Sequence, residues 1–379
     1  MEDHIKVADI YDKSLNFLIG SGASVGLLPT LALKIKDEIG LTSTIEELAT
    51  RFEKEKDARF DWLFAHYYET CIRPAQIFRP EDADTQDKKK VLSNYEVFTA
   101  TLLRILQKRK ALDRRCNVFT TNYDSCFFHA ADALIKKGEF DFHLNDGTRG
   151  FKARYLHARN FNSYLCQTGV FDKGLSGIPQ INLINLHGSI YWKKVADSIV
   201  VDYGIDHKES YLPDLIIPAV EAFSAQLYDA DNDVDHLIAA PMAPEIRDAF
   251  WKKYRALPIV NPTKWKFNET VFEEHYYQML RYLTYELEKP NSVLISFGFS
   301  FADEHILNLI KRSLSNPTLQ VFICCYSVGE HLRLAPKFKL FANVKFIVLP
   351  DNEMRFTEFN ESVFNIQRPN QATSLPGVV

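Results

Sequence analysis

The chain has 379 residues, too many for one small core, so it reads as one large domain with insertions or as two to three modules. Hydrophobic residues make up 46% and charged residues 25%, a globular balance that argues against wholesale disorder. With 45 basic residues against 49 acidic ones the net charge is -4, which sets nucleic acid aside as the main ligand.

In chain order, the N-terminal MEDHIKVADIYDKSL is charged and amphipathic, without the apolar region of a signal peptide. Phe17–Ile19 begins a series of short apolar or β-branched runs that read as buried strands, followed by Asn117–Thr121, Ile181–Leu186, Val293–Phe297, Val321–Cys325 and Val344–Leu349. Helical patterns lie between them. Ser125–Lys137 carries Phe127, Phe128, Ala131 and Leu134; Thr270–Lys289 carries Phe272, Tyr276, Met279, Leu280, Leu283 and Leu287; Asp303–Leu314 carries Ile306, Leu309 and Ile310. Strand–helix alternation predicts an α/β fold, a Rossmann-like parallel sheet with helices on both faces.

Two segments interrupt the alternation. Residues 31–112 read as an all-helical insertion, with a charged run at Glu46–Lys56, an aromatic one at Trp62–Tyr68, an amphipathic one at Tyr95–Lys108 and an exposed loop at Arg79–Lys90. Residues 191–289 read as a second, mixed insertion ending in the connecting helix. The Rossmann-like domain is then expected to comprise 1–30, 113–190 and 290–365, with 366–379 a disordered tail. No run approaches the ~20 apolar residues of a membrane span, and a cytoplasmic protein is expected. The six cysteines (Cys71, Cys116, Cys126, Cys166, Cys324 and Cys325) form no Cys-x-x-Cys pair, no His-x-x-x-His set is present, and neither a metal nor a redox motif is expected.

In an open parallel sheet, ligands bind at the carboxyl ends of strands. Four predicted strands end in small and polar clusters: Gly20-Ser21-Gly22-Ala23-Ser24, Thr121-Asn122-Tyr123-Asp124, His187-Gly188-Ser189, and Gly298 through Ser300 and Asp303 to His305. The glycine cluster suits a turn where backbone N–H groups approach a pyrophosphate. Its Gly20, Gly22, Gly26 spacing is one residue longer than the dehydrogenase fingerprint, and it lacks the Lys of a P-loop. A tight packing turn is the alternative. Asn122 and Asp124 are candidates for holding a ribose or a water, or for capping the next helix. Asp124 fits the cap better, which leaves Asn122 freer. His187 suits general-base work, or else a hydrogen-bonded strand end. Asp303 reads as a ribose acceptor or a helix cap. Pro258–Lys264 reads as a loop that closes over a ligand, or as an extended connector.

In this order, "IGSGAS", "TTNYD", "NLHGS" and "GFSFADEH" resemble the glycine turn, the Asn-bearing segment, the catalytic His-Gly and the late nucleotide segment of the sirtuin superfamily. The chain lacks the four-cysteine zinc module of the protein deacylases, lacks their Pro-Asp-Phe-Arg segment, and has Thr121 in place of Gln. Within the superfamily it therefore resembles the sirtuin-like NAD hydrolases of bacterial antiphage defence, in the short form that works with a HerA-like hexameric ATPase. The resemblance implies NAD as substrate, with nicotinamide and ADP-ribose released in abortive infection. It implies Asn122 and His187 as catalytic residues. Gly20, Ser21, Gly22, Ala23, Ser24, Thr121, Asp124, Gly298, Ser300, Asp303 and His305 are implied to bind NAD. A homo-oligomer is expected, and the aromatic residues Trp62, Phe64, Tyr67 and Tyr68 either bury an interface or complete a local core. The other classes left open are a deacylase or ADP-ribosyltransferase, a non-catalytic NAD or ADP-ribose sensor, and a dehydrogenase.

Overall fold

The computed structural model describes residues 4–5, 7–38, 40–168, 175–204, 209–261, 270–350 and 352–365; the expected tail, 366–379, lies outside them. Seven strands form an all-parallel sheet. They are β1 (Ser14–Ile19), β2 (Arg115–Thr120), β3 (His143–Asn145), β4 (Gln180–Asn185), β5 (Ser292–Phe297), β6 (Gln320–Cys324) and β7 (Val344–Ile347). Their order is β7-β6-β5-β1-β2-β4-β3. The chain leaves β1 in one direction toward β2 and later resumes beside it on the other side with β5. The carboxyl ends of β5, β1 and β2 thus flank a topological switch point, where a crevice opens.

The apolar runs form strands here because both faces are covered. Successive side chains alternate between faces. Leu15, Phe17 and Ile19 of β1 join a core with Tyr95, Phe98 and Leu102 of α3 (Gln86–Gln107) and Phe127, Ala130 and Leu134 of α4 (Cys126–Lys137). Phe17 packs edge-on against Phe98 and Phe364, with ring centroids 5.3 and 5.4 Å away. Leu18 faces the opposite core, with Met279, Leu283 and Leu287 of α7 (Thr270–Glu288), Ile306 and Ile310 of α8 (Glu304–Ser313), and Leu334 and Phe338 of α9 (Val328–Phe338). Phe272 of the predicted α7 stripe lies outside the described side chains.

One buried row on this second face is polar. Asn16, Asn117, Asn182 and Asn145 stand in register on β1, β2, β4 and β3. Asn117 Nδ2 donates to Asn16 Oδ1 at 2.8 Å, Asn182 Nδ2 to Asn117 Oδ1 at 2.8 Å, and Asn145 Nδ2 to Asn182 Oδ1 at 3.0 Å. Asn16 Nδ2 extends the row to Ser292 Oγ on β5, 2.9 Å away. A one-residue slip would turn these amides into the other, apolar core without partners, so the ladder opposes register error.

The segment 31–112 departs from the all-helical expectation in two ways. Ala32–Lys36 and Thr42–Thr44 pair as an antiparallel hairpin, because Leu33 and Ile35 alternate with exposed neighbours. Second, α3 covers the central sheet, whereas the earlier part builds a separate cap. In the cap, α1 (Ile45–Glu55) and α2 (Arg59–Tyr67) share one core with α5 (Ile217–Leu227) and α6 (Pro244–Tyr254) of the second segment. Trp62, Phe64, Tyr67 and Tyr68 are all buried there, so they complete the local core. A Thr44–Glu47 capping box starts α1. The expected Arg79–Lys90 loop is shorter, since Thr85 caps α3 and the helix begins at Gln86. Part of the remaining mixed segment is β: Trp192–Val195 and Ser198–Val201 pair with Arg154–Leu156 and Thr148–Arg149 in a four-stranded antiparallel sheet.

Candidate functional site

Between the carboxyl rim of the sheet and the cap lies a cavity of about 160 Å³. Four strand ends reach it: Ser21 and Ser24 after β1, Thr121, Asn122 and Asp124 after β2, His187 after β4, and Gly298, Ser300 and Asp303 after β5. The opposite wall comes from Leu28–Leu31, from Glu46 and Tyr67 of the cap, and from Val260 and Asn261.

His187 is the most constrained of these residues. Its Nε2 lies 3.0 Å from Asp303 Oδ2, with the His187 side chain 18% exposed and Asp303 5% exposed. A carboxylate only accepts, so Nε2–H donates, and in the neutral ring this places the imidazole lone pair on Nδ1. The backbone behind the ring is held too: Val260 N–H donates to His187 C=O at 2.9 Å, and Gly188 bridges Ile259. This crossing demands glycine. Gly188 has φ +84°, and a Cβ there would meet Pro258 O at 1.9 Å. Of the loop expected to close over a ligand, Val260 and Asn261 line the cavity, and Pro262–Lys264 lies outside the described residues.

Asp303 has two jobs at once. Oδ1 accepts from His305 N at 2.9 Å and Ile306 N at 3.1 Å, capping α8, while Oδ2 holds His187. Both oxygens are therefore engaged within the protein, in the cap that stood as the alternative reading and in the contact with the imidazole.

Asn122 is 8% exposed. Its Nδ2 donates to Gly20 O at 3.2 Å, and lies 3.4 Å from Ser24 Oγ and 3.5 Å from Tyr95 OH. Because Gly20 O is a pure acceptor, the amide is oriented with Oδ1 away from the turn. Behind it runs a relay in which Tyr95 OH donates to Ser24 Oγ at 2.7 Å and Ser24 donates to Asp124 Oδ2 at 2.8 Å. Burial, then the Asp124 charge, holds the Tyr95 phenol well above the usual tyrosine range, so it stays a donor. Asp124, one residue before Ser125, the N-cap of α4, accepts through Oδ1 from Cys126 N at 3.0 Å.

Gly20 and Gly22 make a tight packing turn, the reading that stood beside the phosphate turn. Gly20 N–H donates to Phe297 O at 3.0 Å, Gly22 N–H to Gly298 O at 2.9 Å, and Ala23 N–H to Gly20 O at 3.1 Å. A Cβ on Gly20 or Gly22 would lie 2.4 Å from Gly298 O or 2.6 Å from Gly298 Cα. These two glycines let the β1 and β5 turns pack backbone to backbone, and their amides do not face the cavity. Neither Gly20, Gly22 nor Ala23 lines it. His305 is also turned away, onto a groove between α7 and α8. The sequence reading missed Tyr95 and the Tyr67–Tyr123 hydroxyl pair (2.7 Å) that ties the cap to the rim. A tyrosine on the apolar stripe of a helix looks like any core residue, so Tyr95 carried no signal. Asn185, which opens the polar cluster at the end of β4, donates from Nδ2 to Asn122 O at 3.1 Å.

Among the described residues no group of three His, Cys, Asp or Glu side chains is placed to hold a metal ion. No helix there is long and apolar enough to cross a membrane. No protein-family profile and no curated protein matches the chain.

Proposed function

We propose that the chain is a sirtuin-like NAD hydrolase, cleaving the nicotinamide N-glycosidic bond of NAD to give nicotinamide and ADP-ribose. The observation that carries the reading is the part-buried Asp303–His187 pair facing the same cavity as Asn122, three groups delivered by three different strand ends. Nicotinamide leaves a pyridinium as a neutral molecule, so no general acid is required. The oxocarbenium-like transition state then asks for positioning and for a base on water or on a ribose hydroxyl. His187 Nδ1 is that base, Asp303 sets its tautomer, and Asn122 Oδ1 accepts from the water or ribose and orients it. Ser21 and Ser300, both exposed at the rim beside Gly298, are the donors for the pyrophosphate in place of the glycine amides.

The cavity is smaller than the ~300–1,000 Å³ usual for small-molecule sites, so a whole dinucleotide enters only if the Leu28–Leu31 and Val260–Asn261 walls separate. A site this small suits an enzyme whose unchecked activity would exhaust cellular NAD. An antiphage role, a homo-oligomer and a HerA-like ATPase partner belong to the same proposal. The test is incubation of the purified chain with NAD, alone and with its genomic neighbour, followed by chromatography. Nicotinamide and ADP-ribose should appear, and His187→Ala or Asn122→Ala should slow their release by ~10²–10⁴-fold. Wild-type rates in both variants would remove the assignment. Binding of NAD without nicotinamide release would favour the sensor reading instead.

A further inference from the structure

The opposite rim of the sheet holds a second cavity, about 450 Å³, at the amino ends of β5, β1 and β2. Four cationic side chains line it, Lys13, Arg109, Lys110 and Arg115, against two carboxylates, Asp12 and Asp113. A local excess of positive charge is notable in a chain whose net charge is -4. Arg109 is the central observation. It is 6% exposed, its Nη2 donates to Ile10 O at 2.7 Å, and its buried Nε has no hydrogen-bond partner. Among the described residues none of the four cations forms an ion pair. Burial pulls the Arg109 guanidinium below the usual arginine range, the mark of a charge kept from water without full compensation. Arginine remains charged under such conditions, with the Asp113 and Asp12 charges only partly offsetting its burial.

We infer that this rim is an anion site that binds a phosphate dianion, with Arg109 as the buried anchor and Lys13 and Arg115, both half-buried, as flanking cations. Phosphate matches the donor set because its oxygens accept the guanidinium's in-plane N–H groups while lysines supply point charge. The phosphate comes either free or as the terminal group of a nucleotide. The site is on the opposite rim from His187, so it stands independently of the NAD-cleavage reading.

The full-length chain should be titrated with inorganic phosphate and, separately, with ADP, reading heat of binding and Tm against chloride at matched ionic strength. A Tm rise specific to phosphate is expected, with saturable binding. Stronger binding of ADP than of phosphate would assign the source as a nucleotide; equal or weaker binding would assign free phosphate. The double variant Lys13→Ala, Arg115→Ala alters partly exposed side chains and should weaken binding at least tenfold. Arg109→Met removes the buried charge: it should abolish the phosphate response while holding or raising the Tm of the phosphate-free protein. The inference is overturned if phosphate shifts Tm no more than chloride does. It is equally overturned if the double variant binds as the parent does. Should Arg109→Met not fold, the double variant alone decides.

Discussion

At the residue scale the decisive contact is Asp303 with His187, because it determines which imidazole nitrogen is free. Asp303→Asn separates the two jobs of that side chain. The amide oxygen still caps α8 at His305 N and Ile306 N, so Tm should stay close to the parent's. The amide N–H would replace a carboxylate oxygen beside Nε2, obliging Nε2 to accept and moving the ring proton onto Nδ1. In the proposed reaction the base atom is thereby lost without loss of the ring. Under that proposal NAD cleavage is expected to fall by ~10²–10⁴-fold, near the deficit of His187→Ala. A variant that cleaves at parental rate with an unchanged pH profile would show that Nδ1 is not the base. Asn122 illustrates how a backbone acceptor orients an amide: Gly20 O takes one N–H of Nδ2, which turns Oδ1 away from the glycine turn.

At the element scale the asparagine ladder makes the sheet's register a polar decision as well as an apolar one. Asn117→Leu takes the amide from the middle of the row, leaving Asn16 Oδ1 and one contact of Asn182 Nδ2 unmet in a buried layer. A cost of about 1–3 kcal/mol is expected, measurable as a lower urea midpoint with an unchanged m-value. A gain in stability would show that leucine packing outweighs the ladder. The same scale explains what was readable beforehand. Six strand positions were legible as apolar runs because both faces of a parallel strand are buried. β3 was not, since His143–Asn145 has only three residues, two of them half-exposed. The Ala32–Lys36 strand was legible in principle, as Leu33 and Ile35 alternate with Lys34 and Lys36, but the helical patterns around it masked a period of two.

At the scale of the whole molecule, a sheet domain and a cap built from two distant segments enclose the candidate site between them. His66 sits fully buried in the cap, with Nδ1 2.7 Å from Ser224 Oγ on α5 and Nε2 without a partner. Burial lowers its pKa from the ordinary 6.5 to about 4. The folded state therefore keeps His66 neutral while the unfolded chain takes up a proton near 6.5. Stability from this group is complete above 6.5, declines as the pH falls toward 4, and changes no further below it. The loss amounts to about 3 kcal/mol at most. Denaturant midpoints between pH 7 and 4 should fall less steeply in His66→Phe than in the parent; parallel curves would mean that another group carries the acid sensitivity.

From sequence alone the parallel α/β class, the positions of the main strands and the identity of the strand-end clusters followed, because burial on two faces and strand–turn–helix punctuation are local properties of the chain. The convergence of Ser24, Asn122, His187 and Asp303 on one cavity was anticipated by a general rule about strand ends. How those residues meet was decided only in three dimensions. Gly20 and Gly22 turned out to serve the backbone of Gly298, Asp303 to serve His187, and Tyr95, from a helix assigned to an insertion, to complete the relay behind Asn122. Each is a pairing between residues about 70 to 280 positions apart, and no local pattern encodes which distant acceptor a buried donor will find. That choice is made when the strands stack in the order β5-β1-β2-β4 and the cap closes over their ends.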